Sequence, residues 1–351
     1  MAIRYVDADS TPSGNGTTNA IEGANRAYAS LNEWEAARQA VLTEVEECVC
    51  GSNGISHNAD VTSTLINGWT TYADYYIYIH SDAASKASLS WSNSKYRLYV
   101  ADASALQPLE DYVRIDGLQI GKSSSNGNLQ ACLYAWNQTA SANDIRISNC
   151  LLRQAGNNTY TEPGIYFNAA TIIGYIWNCC VYGLGTNISA GNTAIHLNSL
   201  ASASVYSCIA IGGLRGIGRV AGTVTAKNCY AHFTSTGGVG YAGTFSTFED
   251  CAASDTTGSE SGLDSIAYST SSGAYFTNLG AGTEDFHITA SSALINVGTD
   301  TSGDAAPMNF TVDIDGETRT GTWDIGPDEY VAGSTPLTAQ LADDAFIWVE
   351  L

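Results

Sequence analysis

Five of the chain's nine cysteines sit in one repeated local frame. The segments are Ile147-Ser-Asn-Cys150-Leu, Ile176-Trp-Asn-Cys179-Cys, Val205-Tyr-Ser-Cys208-Ile, Ala226-Lys-Asn-Cys229-Tyr and Phe248-Glu-Asp-Cys251-Ala. Ile115-Asp-Gly117-Leu118 fits the same frame with Gly and Leu in the last two slots. From Leu118 onward the intervals are 32, 29, 29, 21 and 22 residues. A period in the twenties, stretched by insertions, is the signature of a solenoid. Between these segments lie other short stretches with apolar residues at period two, such as Gly164-Ile-Tyr-Phe-Asn168, Ala194-Ile-His-Leu-Asn198 and Gly216-Ile-Gly-Arg-Val220. Period two is the pattern of a half-buried strand.

Several short strands per repeat, with Gly or Asn at the corners, predict an all-β chain folded as a right-handed parallel β-helix. Its coils stack about 4.8 Å apart, so like residues form ladders. Cysteine is small, apolar and tolerant of burial, which suits an inward ladder. Asn beside it can take the left-handed conformation of a tight corner, and its amide can pair with the Asn above. The ladder cysteines are expected to be reduced core residues. Cys48 and Cys50 lie in Glu-Glu-Cys-Val-Cys-Gly without Cys or His at zinc-ligand spacing, and are read as structural too.

Solenoid ends need covering. Ser30-Leu-Asn-Glu33 is a capping box, and Trp34, Ala36, Ala37, Ala40, Val41 and Val45 follow at roughly helical spacing. These residues predict a capping helix over 31–46. The expected organisation is an N-terminal segment and capping helix over 1–60, β-helix coils over 61–298, an irregular C-terminal cap over 299–330 and a tail over 331–351. Regular coils are expected from Ile77-Tyr-Ile79 to Asp285-Phe-His-Ile288, roughly ten at about 22 residues each.

Charge narrows the partners. Fourteen Lys and Arg against 35 Asp and Glu leave a net charge of −21, which disfavours nucleic acid and anionic membranes. The N terminus lacks the basic-then-apolar pattern of a secretory signal, and no apolar run reaches about 18 residues. Synthesis and assembly in a host cytoplasm are therefore expected, with an extracellular location as the alternative.

The opening Tyr5-Val-Asp-Ala-Asp9, Gly14-Asn-Gly16 and Tyr28-Ala-Ser-Leu31 resembles the start of bacterial and phage pectate-lyase-like β-helix proteins. Asp285-Phe-His-Ile288, Ser292-Ala-Leu-Ile-Asn-Val-Gly298, Asp313-Ile-Asp-Gly-Glu-Thr-Arg319 and Asp324-Ile-Gly326 resemble their closing segment. The resemblance implies the architecture over roughly residues 1–330 and is nearly silent on activity, since that superfamily holds lyases, hydrolases, adhesins and virion proteins. The tail departs from it and ends in Ala345-Phe-Ile-Trp-Val-Glu-Leu351, an apolar terminus suited to docking on a partner.

Catalytic signatures are sparse. β-Helix glycosidases use two carboxylates across the bond, and lyases use an Arg or Lys base, often beside calcium-binding acids. The Asn-Thr-Asp, Gly-His-Gly and Arg-Ile-Lys motifs of polygalacturonase-like enzymes are missing, and the one Asp-Asp pair, 343–344, lies in the tail. Asp7/Asp9 and Asp313/Asp315 could chelate calcium, but neither pair completes a calcium loop. Pairing of Asp315 or Asp324 with Arg319 is the expected use. Arg114 and Arg146 share an outward slot one coil apart, with Asp111 and Asp144 at similar stations. They make either an ion-pair ladder, the favoured reading, or a sugar- or carboxylate-binding strip. His196 and His232 fall on different strand types and are not expected to face one another. Tyr166 and Tyr175 are either sugar platforms or a stabilising aromatic ladder. No catalytic, cofactor-binding or metal-ligating residue is assigned.

Three functions compete. The first is a non-enzymatic bacteriophage virion protein, a capsid decoration or head-fibre protein, trimeric by analogy and attached to a capsid or other virion protein through its tail. The second is a polysaccharide-cleaving tailspike or secreted glycan-active enzyme, and the third is a glycan-binding adhesin.

Overall fold

A computed structural model describes residues 1–54, 56–123, 129–136, 143–155, 162–183, 192–259, 262–263, 266, 275–280 and 282–332. The strands stack coil upon coil into three parallel sheets of nine, seven and seven strands, giving the right-handed parallel β-helix that the repeat predicts. The first sheet runs Ala2–Asp7, Glu46–Gly51, Ile77–Ser81, Val113–Asp116, Asn143–Ser148, Ile172–Trp177, Ser202–Tyr206, Thr223–Lys227 and Thr247–Glu249. The second begins at Arg97–Ala101 and ends at Ala252–Ala253, and the third begins at Thr64–Ile66 and ends at Val239–Ala242.

The frame that repeats in the sequence is the corner from the first sheet to the second. Asn149, Asn178, Ser207, Asn228 and Asp250, each just before its cysteine, have φ of 51°, 50°, 48°, 53° and 46°, and Gly117 has 69°. Left-handed backbone turns the chain sharply, and Asn and Gly adopt it most cheaply. Cys150, Cys179, Cys208, Cys229 and Cys251 then point inward and are fully buried, stacked above Leu118. Backbone bonds tie successive corners, from Cys180 N to Cys150 O at 3.0 Å and from Ile209 N to Cys179 O at 2.9 Å. All nine cysteines are free thiols. Several ladder thiols donate to the carbonyl two residues back, Cys150 to Ser148 at 3.0 Å and Cys179 to Trp177 at 3.2 Å. Burial pushes the thiols of Cys150, Cys179, Cys208 and Cys251 well above their ordinary range, which makes them poor nucleophiles. Cys48 and Cys50 both face the core of the second rung.

The N-terminal region differs from its sequence expectation. The helix spans Leu31–Arg38, not 31–46, and Ser30 caps it by accepting from Glu33 N at 3.0 Å. Its buried residues are Leu31, Trp34 and Glu35, whereas Ala36, Ala37, Ala40 and Val41 are exposed. Two turns suffice to seat Trp34 against Trp69, with ring centroids 5.5 Å apart. The chain must then extend, because Glu46–Gly51 is already a rung of the first sheet. Arg38 clamps that rung through Glu46 at 2.8 and 2.9 Å. Thus the coils begin at Ala2, and residues 1–60 contribute two rungs as well as the helix.

The other end differs as well. Between Ile77 and Glu249 the first sheet has seven rungs, fewer than the ten coils expected over 77–288, because loops lengthen the central coils. Asp285–Ile288 is not a coil strand; it pairs antiparallel with Phe276–Asn278. The irregular C-terminal segment runs back along the flank of the rod. Phe276, Phe286, Leu294, Ile314 and Ile325 are buried with Leu151, Cys180, Ile209 and Tyr230 of the second sheet. At these coils that sheet is therefore apolar on both faces, with Leu152, Val181, Ala210 and Ala231 in the main core. The asparagine corners anchor the segment. Asn178 donates to Asn149 Oδ1 at 3.1 Å and to Val312 O at 2.9 Å, and Asn228 exchanges bonds with Thr299 at 2.7 and 2.8 Å.

Corner chemistry sets stability. Asn178→Ala loses these bonds and keeps a strained backbone, so we expect a loss of about 2 kcal/mol. Ser207 is left-handed and its buried Oγ has no hydrogen-bond partner among the described residues, so Ser207→Gly is expected to raise stability by about 1 kcal/mol. Urea unfolding followed by tryptophan fluorescence checks both. A Ser207→Gly protein less stable than wild type would contradict the account.

Candidate functional site

Period-two alternation sends every second residue of the first sheet outward, and parallel register lines these residues into columns. One column reads Glu47, Tyr78, Arg114, Arg146 and Tyr175. The next reads His80, Asp116, Ser148, Trp177, Tyr206 and Lys227. Where they meet, the face hollows into a groove of about 380 Å³ lined by Tyr76, Tyr78, Arg114, Asp116, Arg146 and Trp177, with Pro307 of the C-terminal segment on its rim.

Asp144 ties the two arginines together, with one carboxylate oxygen 2.7 Å from each guanidinium. Arg114 also donates to the Asp144 carbonyl at 2.6 Å and lies 5.2 Å over the Tyr76 ring. Burial pushes Arg114 down to about 10 against the opposing pull of Asp144, which still leaves it charged at neutral pH. Arg146, the more exposed of the two, lies 5.7 Å over Tyr175. Asp116 accepts from Ser148 Oγ at 2.7 Å, Asn149 Nδ2 at 2.6 Å and Tyr78 OH at 3.2 Å. Tyr78 stacks on His80 at 4.4 Å, and His80 reaches Glu47 at 2.9 Å. Trp177 stacks towards Phe310 at 6.3 Å.

The Arg114/Arg146 strip is thus an ion-pair unit that also forms part of a groove, with Asp144 as its bridge. Asp111 does not join it; its carbonyl accepts from Thr71. Tyr175 packs under Arg146. Tyr166 is not an exposed platform, because it is buried between Tyr134 and His196, each 4.9 Å away. Burial, and secondarily Arg215, pushes His196 down to about 4. His232 lies on the second sheet, hydrogen-bonded to Ser254 at 2.6 Å, so the two histidines do not share a site. The sequence alone does not mark Tyr76, Tyr78, Asp116 and Trp177 as site residues. A signal for two of them was present, since Asp116 and Trp177 occupy the slot before the corner residue, which alternation aims outward.

The acidic pairs have other uses. Asp7 accepts from the backbone of Asp9 and Asn53, and Asp9 from that of His57 and Asn58, so both brace turns. Asp313 accepts three backbone N–H groups, from Asp315, Glu317 and Glu329. Arg319 pairs with Glu329 at 3.2 Å, not with Asp315 or Asp324; from Asp324 it takes only a long contact to the carbonyl oxygen. Asp324 instead accepts from Asn296 N and Tyr330 N, both at 2.6 Å. Asp343 and Asp344 lie outside the described residues.

His287, Asp315 and Asp328 bring their ligand atoms within 4.8 Å of one another. His287 Nδ1 contacts Asp285 and Nε2 lies 3.0 Å from Asp315. Burial alone would lower His287, but the two carboxylates outweigh it and hold it at about 11. In the metal-free protein the imidazolium and its flanking carboxylates form an ion-pair knot pinning the C-terminal segment.

No family model and no curated protein matches the chain. Among solved structures it is similar to the crystal structure of pectate lyase Pel9A, at 14% identity over 94% of this chain and 96% of that one, with a TM-score of 0.34. The β-helix assignment rests on the three parallel sheets and their coil-to-coil register.

The histidine knot carries a pH signature. A folded value of about 11 above the ordinary 6.5 means that its stabilisation is full below pH 6.5 and is lost as pH rises through 11. We expect wild-type stability to fall over that window, and His287→Gln to flatten the fall. Equal slopes in urea titrations of the two proteins would refute the assignment.

Proposed function

We propose that this chain is a non-enzymatic structural protein of a bacteriophage particle, a β-helix rod on the virion surface whose groove recognises a surface glycan. The observation that carries the glycan reading is the makeup of the groove. Aromatic faces at Tyr78 and Trp177 stand beside guanidinium, carboxylate and hydroxyl groups that already hold one another in place. Aromatic faces stack on apolar faces of sugar rings, and prearranged polar groups meet hydroxyls without reordering. The carboxylate lining the groove, Asp116, is engaged by three donors, and Asp144, which bridges the two arginines, is engaged by both, which suits binding better than proton transfer.

The virion placement is supported by the likeness of the opening and closing segments to phage β-helix proteins, by the acidic polar shell and by the apolar run Ala345-Phe-Ile-Trp-Val-Glu-Leu351. A trimer attached through that run is the assembly proposed.

A panel of bacterial surface polysaccharides tests the proposal. Wild type is expected to bind a member without releasing reducing ends or unsaturated products, and Trp177→Ala and Arg146→Ala to weaken binding about tenfold or more. Turnover would move the chain to the glycan-active enzymes. Deleting residues 336–351 is expected to leave the melting temperature unchanged and abolish co-sedimentation with particles.

A further inference from the structure

Three polar side chains meet inside the rod, away from the groove. Lys122 and Gln154 are register partners on adjacent strands of the second sheet. Each lies two residues beyond an inward residue, Ile120 and Leu152, and so faces the core. Val100 precedes them in the column. Glu162 reaches them from three residues before Ile165–Asn168, a strand of the third sheet. Exposure is 0% for Lys122 and 1% for both Gln154 and Glu162.

The two oxygens of Glu162 hold the two partners. Oε1 lies 3.1 Å from Lys122 Nζ, and Oε2 accepts from Gln154 Nε2 at 2.6 Å. Hydrogen bonding is incomplete on both sides: Lys122 Nζ and Gln154 Oε1 have no hydrogen-bond partner among the described residues. A dry ion pair is a weak device for stability. An amine and a carboxamide held on one carboxylate, with water excluded, are instead arranged for acyl transfer.

We propose that Lys122 and Gln154 form an intramolecular isopeptide bond, with Glu162 as the proton carrier. Glu162 takes a proton from the Lys122 ammonium, and the freed amine attacks Cδ of Gln154. The carbonyl π electrons move onto Oε1. Glu162 returns its proton to Nε2, the C–Nε2 bond breaks and ammonia leaves as the carbonyl reforms. The second proton lost from the Lys122 nitrogen stays on Glu162 or departs with ammonia as ammonium. One C–N bond forms and one breaks, and neither oxidant nor reductant is needed. The product staples two neighbouring coils from within, and a rod stapled in this way resists unzipping one coil at a time.

Intact mass spectrometry of the full chain, denatured and with its thiols alkylated, tests this directly. Wild type is expected to be lighter by one ammonia than its fully alkylated sequence, and its digest to contain a branched peptide joining Lys122 to Gln154. Lys122→Arg and Glu162→Gln are expected to show their full alkylated sequence masses. Because the decisive reading is on wild type, a misfolded variant does not blunt it. A wild-type mass equal to that of the fully alkylated sequence overturns the proposal. So does ammonia loss without the branched peptide, or loss of water with a Lys122–Glu162 linkage.

Discussion

Everything in this molecule depends on the backbone bonds that hold each coil in register on the one below. At the first corner those bonds run through the left-handed residues, and the geometry leaves room for a small side chain pointing inward. Cysteine meets that demand five times and Leu118 once. A slip of one residue would turn Cys150, Ile145 and Ile147 towards solvent and Arg146 and Asp144 into the core, so burial and hydrogen bonding enforce the same register.

Register then converts sequence positions into surface columns. The slot before the corner must face outward because the cysteine slot faces in. Asp116, Ser148 and Trp177 therefore line up although about thirty residues separate each from the next. Asp144 and Asp116 complete the effect by saturating the polar groups around them. Within the rod the same logic applies to Lys122 and Gln154, whose adjacency follows from pairing of their strands and whose contact with Glu162 follows from the next coil wall.

Flank and end obey a different rule. Along Leu151, Cys180, Ile209 and Tyr230 the second sheet is apolar outside as well, and it needs a cover. The C-terminal segment supplies one through Phe276, Phe286 and Ile325, held by Asn178, Asn228 and the His287 knot. These asparagines serve both the coil stack and the cover, which couples the segment to the rod.

Much of this was legible beforehand. The frame around Cys150, Cys179, Cys208, Cys229 and Cys251 announces the solenoid, its left-handed corners and its inward ladder, because those are local conformational demands repeated at a nearly fixed interval. The helix is shorter than its spacing predicts because Ala36, Ala37, Ala40 and Val41 keep helical spacing without a surface to bury against, and spacing cannot show where the next rung must begin. Arg114 and Arg146 were visible as a strip, but their partners Tyr76, Tyr78 and Trp177 were not. Local sequence therefore decides which residues turn, which extend and which point inward. The tertiary structure alone decides which coils the C-terminal segment covers, which aromatic rings flank the arginines and which carboxylate meets Lys122. Those contacts join residues tens to hundreds of positions apart, and their geometry depends on loop lengths and coil register summed over the intervening chain.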